Sequence, residues 1–251
     1  DAAAPSDADL LAMLTLSPTA IIDGSSKTAT LNWSFNSGSE TFGYLGAGET
    51  LILTYTVQAE DSQGATDTET VTITITGTND APAITDGPDT ASLTETDAGL
   101  PNSGDLTVSD VDTADTVNAT RTLVVTGTSD RADAAAPSDP DLLNMLTLTP
   151  AAILDNTENS DSLGWNFNSG SEAFDYLQAG DTLVLTYTVT VTDSESATDT
   201  ETVTITITGT NDAPVISDGG DTADLDETDA RLTANGSLTI SDDDTTATVS
   251  V

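Results

Sequence analysis

Most groups in this chain that could do chemistry are carboxylates, and they recur at short fixed spacings. Asn79 stands beside Asp80, Glu95 lies two residues before Asp97, Asp110 two before Asp112, and Asp193 opens the turn Asp193-Ser194-Glu195. The pattern returns at Asn211 and Asp212, Glu227 and Asp229, Asp242 and Asp244, while Asp61 is the earlier counterpart of Asp193. Two carboxylates one residue apart in a turn present oxygens to one side, and calcium takes about six to eight such oxygens at about 2.3–2.6 Å. The chain has no His and no Cys, so the softer nitrogen and sulfur donors are missing and a hard divalent cation, Ca2+ first, is the ligand expected. Asp and Asn also populate turns for conformational reasons alone. What favours a metal is that the whole set recurs together.

The same inventory argues against an enzyme. With one Lys and no His or Cys, the conceivable acid–base pair is two carboxylates, and these sit in turns rather than in an aromatic-lined cleft. No catalytic residue and no organic cofactor is expected.

Strands must position these turns. Thr72-Ile73-Thr74-Ile75-Thr76 and Thr204-Ile205-Thr206-Ile207-Thr208 alternate with the period of two that gives a strand one wet and one buried face. Each runs into Gly-Thr-Asn-Asp-Ala-Pro, where the Gly ends the strand and Pro82 or Pro214 stiffens the exit, so the stretch reads as a joint between domains. Between the joints the pattern predicts strands over Ala83 to Asp86, Ala91 to Thr96, Asp105 to Ser109, Thr116 to Thr126, Leu163 to Asn168, Leu183 to Thr192 and Thr200 to Thr208. Ser138-Asp139-Pro140 is a helix start, and a short helix is expected over Leu142 to Leu146. Leu163, Trp165 and Phe167 are expected to face inward, and Trp33 likewise. Asp67, Glu69, Asp199 and Glu201 read as solvated strand-edge charges. In a Greek-key sandwich, Asp80, Asp110, Asp112 and Asp193 should meet at the pole where the chain comes in. Glu95 and Asp97 should face Asn211, Asp212, Asp242 and Asp244 at the other, giving a site shared between two domains.

Composition agrees with an all-β chain of tandem Greek-key sandwiches, Ig-like or cadherin-like: Thr, Val, Ile and Leu dominate and aromatic residues are only 4%. Forty-three acidic residues against four basic ones give a formal charge of -39. No basic patch exists, so nucleic acid and anionic lipid are excluded as partners. No apolar run approaches the roughly 20 residues of a helical membrane span, and no membrane insertion is expected. A folded chain so charged repels itself unless counter-ions bind, and without disulfides a metal is the available staple.

Asp1-Ala-Ala-Ala-Pro-Ser-Asp7 recurs from Asp133, Trp33 maps to Trp165, and Asn79 to Asn211, always at an offset of 132 residues. So long a period means whole domains in tandem. With the joints as boundaries, residues 1–78 are the rear of one unit, 79–210 a complete unit, and 211–251 the front of a third. Half-sandwiches have bare edges, so strand complementation between copies, head to tail, is expected of the two ends. The alternative is that 1–78 forms a smaller self-sufficient sandwich.

The strings Leu106-Thr-Val-Ser-Asp-Val-Asp112, Leu177-Gln-Ala-Gly-Asp-Thr-Leu183 and Val203-Thr-Ile-Thr-Ile-Thr-Gly-Thr-Asn-Asp-Ala-Pro214 resemble the VCBS repeat. These are cadherin-like or bacterial Ig-like domains of giant repeat-in-toxin (RTX) adhesins. The resemblance implies a calcium-rigidified extender that holds an adhesive tip away from a Gram-negative cell, secreted and displayed at the surface. It implies calcium ligation by Asp80, Glu95, Asp97, Asp110, Asp112, Asp212, Glu227, Asp229, Asp242 and Asp244, with Asn79 and Asn211 as the joint asparagines. The stretch 129–159 is longer than the common pattern, and the Gly-rich nonapeptide repeats of the secretion domain are missing. Two other classes stay open: a glycan- or partner-binding module working through 129–159, and a filament subunit.

Overall fold

The computed structural model describes residues 4–19, 21–22, 24–227, 229–244 and 248–251. Residues 1–3, 20, 23, 228 and 245–247, which fall within the expected end units, lie outside that set. The elements in order are α1 (Asp7–Ala12), β1 (Leu14–Ser17), β2 (Asn32–Phe35), β3 (Thr50–Glu60), β4 (Thr66–Thr76), β5 (Ala83–Ile84), β6 (Asp89–Thr94), β7 (Pro101–Ser109), β8 (Thr116–Gly127), α2 (Asp139–Asn144), β9 (Leu146–Thr149), β10 (Ala152–Asp155), β11 (Ser160–Asn168), β12 (Thr182–Thr192), β13 (Thr198–Thr208), β14 (Val215–Ile216) and β15 (Ile240–Ser241).

Alternation of Thr with branched residues decides the faces. β12 buries Leu183, Leu185, Tyr187, Val189 and Val191, and its partner β13 buries Val203, Ile205 and Ile207, while their Thr residues point outward. Each such fully buried side chain is worth roughly 1.5–3 kcal/mol of transfer free energy. The two strands lie antiparallel with Leu183 opposite Ile207 and Tyr187 opposite Val203. They belong to a five-stranded sheet in the order β10-β8-β12-β13-β6, in which β6 runs parallel to β13. A four-stranded sheet, β5-β7-β11-β9, covers it. Leu106 and Val108 of β7 and Leu163, Trp165 and Phe167 of β11 close one continuous core with the first sheet. The fold is therefore an all-β, Greek-key sandwich of the Ig-like or cadherin-like kind.

The opening strand is split between the sheets, β5 on one and β6 on the other. The switch falls at Gly87, whose φ is 107° and where a Cβ would stand 2.6 Å from Glu201 Cγ, so only glycine fits. Asp199 is no bystander at this edge: its Oδ2 accepts the Ile84 N–H at 2.8 Å. That corrects its reading as a solvated charge, because β5 is only two residues long and needs the extra acceptor.

Several expectations need revision. The helix spans Asp139–Asn144, not Leu142 to Leu146, since Ser138 is its N-cap and Leu146 already pairs with Phe167 in a ladder. The long stretch 129–159 also contains β9 and β10, one strand for each sheet, so most of it is scaffold. β7 starts at Pro101 rather than Asp105. Trp165 is buried, but Trp33 is 51% exposed. The reason is topological: among the described residues β2 pairs with β1 alone, whereas β11 pairs with β9 and with β7, whose Gly104 lies against the Trp165 ring. Within the described part of 1–78 the β1–β2 and β3–β4 ribbons share a small buried cluster, Met13, Phe42 and Leu45, with Phe35, Leu51 and Ile75 packed against it.

Candidate metal centre

Two carboxylate clusters sit at opposite ends of the sandwich. At the leading pole, where the chain arrives from β4, the turn after β7 carries Asp110, Asp112 and Asp115 and the β12–β13 hairpin carries Asp193. Local hydrogen bonds set their directions. Asp112 donates its N–H to Asp110 Oδ1 at 3.0 Å, and Asp80 donates its N–H to Asp112 Oδ2 at 2.7 Å. Asp193 Oδ1 takes the Ala197 N–H at 2.7 Å across the hairpin turn, and its Oδ2 accepts from Asn79 Nδ2 at 2.9 Å. Asp110, Asp115 and Asp193 then offer oxygens all within 4.8 Å of one another, and all three residues are buried.

The trailing pole repeats the arrangement with groups from both sides of the second joint. Asp244 donates to Asp242 Oδ1 at 3.1 Å and Asp212 to Asp244 Oδ2 at 3.0 Å, which is the Asp110, Asp112 and Asp80 pattern one repeat later. Glu95 follows directly on β6. Its N–H is held by the Thr208 carbonyl, and its Oε2 accepts the Thr210 N–H at 2.7 Å and the Thr210 hydroxyl at 2.8 Å. Glu95, Asp97 and Asp212 bring oxygens within 4.8 Å of one another.

Charge is badly balanced at both poles. Burial first, then the nearby Asp112, Asp193 and Asp80, push the Asp110 carboxyl up. Burial followed by repulsion from Asp80, Asp193 and Glu195 does the same to Asp112. Asp115 rises to about 6, through burial and then its hydrogen bond with Glu195. At the trailing pole Asp212 rises to about 6 through burial and then Glu95, Asp175, Asp244 and Asp97. Asp175 is raised by burial and then by Glu95, Asp243 and Asp97.

Unpaired acceptors decide whether a cation fits. Among the described residues, the buried side-chain oxygens without a partner include Asn79 Oδ1, Asp110 Oδ2, Asp112 Oδ1 and Asp115 Oδ2 at the leading pole, and Glu95 Oε1, Asp175 Oδ1, Asp212 Oδ2 and Asp244 Oδ1 at the trailing one. Buried acceptors are normally satisfied, and each one left open costs about 1–3 kcal/mol or more for a charged group. Elsewhere among the described residues, Ser129, Arg131 and Tyr176 supply the remaining atoms of this kind. Eight oxygens gathered into two hard-donor clusters, with no ion pair to any of them among the described residues, are what calcium would satisfy.

No family model matches this chain, and no curated protein matches it. Among solved structures it is similar to the EC1–3 fragment of mouse clustered PcdhgC3, at 12% identity and a TM-score of 0.38, over 84% of this chain and 60% of that one. It is similar to the CooA pilin subunit from enterotoxigenic Escherichia coli, at 10% identity and a TM-score of 0.32, over 51% of this chain and 97% of that one. The ASH/PapD-like domain of human CEP192 aligns at 10% identity and a TM-score of 0.33, over 52% of this chain and 86% of that one.

The remaining sequence candidates lie apart. Asp61 spends its Oδ1 on the Gln63 and Ala65 N–H groups, both at 2.9 Å, as an ordinary turn former. Glu227 and Asp229 are exposed and join no cluster among the described residues. Asn211 bonds the Asp212 carbonyl. Two residues that the structure places at the poles, Asp115 and Asp175, are absent from the repeat pattern, because their counterparts are Ala247 and Gly43. Their signal was position within an acidic turn rather than recurrence.

Proposed function

We propose that this chain is a structural module of an extracellular, cell-surface adhesin: tandem β-sandwiches, with 79–210 one complete unit, whose joints are locked by Ca2+ into a stiff stalk. The resemblance to VCBS repeats of RTX adhesins supplies the biological setting. The observation that carries the reading is the trailing pole, where Glu95 and Asp97 from one side of the joint and Asp212 from the other bring oxygens within 4.8 Å of one another, and where Glu95, Asp212 and Asp244 each keep a buried oxygen without a partner.

The mechanism is electrostatic. Without a cation, like charges on the two sides of a joint repel and the linker beyond Thr210 is a hinge. With one, carboxylates from both sides share an ion and the hinge is fixed. Each unit then adds about 36 Å or more of reach, the length of its 11-residue strands at about 3.3 Å per residue. Ligands in the joint would be Asp80, Asp110, Asp112, Asp115 and Asp193 with Asn79 at the leading pole. At the trailing pole they would be Glu95, Asp97, Asp175, Asp212, Asp242 and Asp244. Small-angle scattering in excess calcium and in chelator tests this. The radius of gyration is expected to fall and the melting temperature to drop in chelator; identical profiles in both would refute the stalk.

A further inference from the structure

The loop that enters β3 and the loop that enters β12 are one sequence with three changes. Phe42-Gly-Tyr-Leu-Gly-Ala-Gly-Glu-Thr50 becomes Phe174-Asp-Tyr-Leu-Gln-Ala-Gly-Asp-Thr182, so positions 43, 46 and 49 vary while the rest hold. Drift at a solvated surface would fall on the exposed Ala47, which is unchanged in its counterpart Ala179. It would spare the buried Gly46, which becomes Gln178. In the first joint these positions look onto the following unit. A Cβ on Gly43 would stand 3.7 Å from Asp80 Oδ2, and one on Gly46 would stand 3.9 Å from both Asp112 Cβ and Asp115 Oδ1. Glu49 borders the same spot: its Oε2 accepts the Gly46 N–H at 3.1 Å and lies 3.8 Å from that Cβ position.

The facing turn changes together with the loop. Asp110-Val-Asp-Thr-Ala-Asp115 becomes Asp242-Asp-Asp-Thr-Thr-Ala247 one repeat later, with residues 245–247 outside the described set. The acids at 110 and 112 are kept as Asp242 and Asp244. Asp115, whose oxygen meets Gly46, is replaced by Ala, and it is replaced in the joint where Gly46 has become Gln. The two positions therefore change as a pair, Gly with Asp in the first joint and Gln with Ala in the second.

We propose that the 43–49 loop is a recognition surface for the next unit of the chain, that the 110–115 turn of that unit is its partner, and that the fit is specific to each joint. Asp115 is only 6% exposed, and a Cβ at position 46 already has three heavy atoms around it at 3.8–3.9 Å. A side chain longer than Ala at 46 runs into the Asp112 and Asp115 side chains, because a filled contact has no slack for added atoms. Glycine at 46 is thus what admits a carboxylate at 115. A loop of the second kind set before a turn of the first kind collides, so units are not interchangeable and their order is written into the joints. The match is one of packing, and it goes beyond the calcium reading because the acids at 110 and 112 are common to both joints.

The chain has no cysteine, so the contact can be trapped in the full chain. A Cβ at 46 stands 3.9 Å from Asp112 Cβ, inside the about 3.5–4.5 Å that a disulfide spans. With both Gly46→Cys and Asp112→Cys, mild oxidation is expected to give an intrachain cross-link, seen as a shifted monomer band on non-reducing gels; a chain that stays reduced would overturn the contact. Limited digestion with proteinase K reads the fit, as the rate of cutting between residues 77 and 82 identified by fragment mass, with calcium and with chelator. Gly46→Gln is expected to speed that cut about tenfold, and Gly46→Ala, whose Cβ sits at ordinary contact distance, by under about twofold. Adding Asp115→Ala to Gly46→Gln should return the rate to within about twofold of the parent. A double variant cut as fast as Gly46→Gln alone, a Gly46→Gln chain cut no faster than the parent, or Gly46→Ala as disruptive as Gly46→Gln would each overturn the pairing. A parent cut equally fast with calcium and with chelator removes the cation from the joint instead, and the rescue still decides the pairing.

Discussion

Replacing Asp110 by Asn should move stability in opposite directions with and without calcium. Asp110 keeps its Oδ1 on the Asp112 N–H, a bond that an amide oxygen preserves, while its Oδ2 is buried without a partner and the carboxylate offers an oxygen within 4.8 Å of those of Asp115 and Asp193. At that distance and an effective dielectric of about 20, each pair of unit charges repels by roughly 3.5 kcal/mol. Salt and partial protonation of Asp115, which titrates near about 6, reduce the relief from removing one charge to about 2 kcal/mol at pH 7. For a unit of this size that is a rise of roughly 5–10 °C in melting temperature in chelator. In saturating calcium the same change removes a charged ligand, so the calcium-induced rise should shrink and the affinity fall at least about tenfold. Differential scanning calorimetry of both proteins, with calcium and with chelator, reads all four states. A variant less stable than the parent in chelator would refute the repulsion, and an undiminished calcium response would remove Asp110 from the site.

Other outcomes follow from single residues. Trp165→Ala should cost about 3–5 kcal/mol in denaturant unfolding, while Trp33→Ala, the same residue one repeat earlier but 51% exposed, should cost under about 1 kcal/mol in dilute solution. Tyr187→Phe removes the hydroxyl that donates to the Leu142 carbonyl at 2.7 Å, tying β12 to α2; about 1–2 kcal/mol is expected, seen as a lowered urea midpoint at unchanged slope. In chelator, stability should fall as pH rises. Asp115 and Asp212 have folded pKa values near about 6 against 3.8 when free, so both states are protonated below about 3.8, the penalty grows between the two values, and it is complete above about 6. Thermal melts from pH 4 to pH 7.5 test the sign, and a stability that climbs over that range would contradict it.

The fold was legible because Thr–Ile alternation carries its own geometry, and β12 and β13 lie within one or two residues of where the pattern puts them. The inserted stretch was less so. Leu146-Thr-Leu-Thr149 is only four residues long, and nothing local distinguishes it from the end of the preceding helix; its ladder with β11 decides. At the poles, the turn spacing placed Asp80, Asp110, Asp112 and Asp193 together, and Glu95 with Asp212. It missed Asp115 and Asp175 because recurrence was the filter, and these two do not recur. Asp61 is the opposite case. It matches Asp193 in the repeat, but its Oδ1 accepts both N–H groups of its own turn.

The two poles differ in a way that bears on how a stalk would stiffen. At the leading pole three of the carboxylates, Asp110, Asp115 and Asp193, belong to loops of the sandwich itself, so their geometry is fixed by its core before any neighbour is added. At the trailing pole the sandwich contributes Glu95, Asp97 and Asp175, and the rest comes from beyond Gly209. Gly209 packs against the loop before β12, where a Cβ would stand 2.3 Å from the Leu177 carbonyl oxygen, so the strand leaves the sandwich in one fixed direction. Glu95 then grips Thr210, the next residue, and carries that direction as far as the joint. Beyond Thr210 the chain depends on carboxylates repelling or sharing an ion. A cation bound only by one unit would stabilise that unit without stiffening anything. A cation held between Glu95 and Asp212 couples folding stability to the angle between neighbours, so both must respond to calcium over the same concentration range.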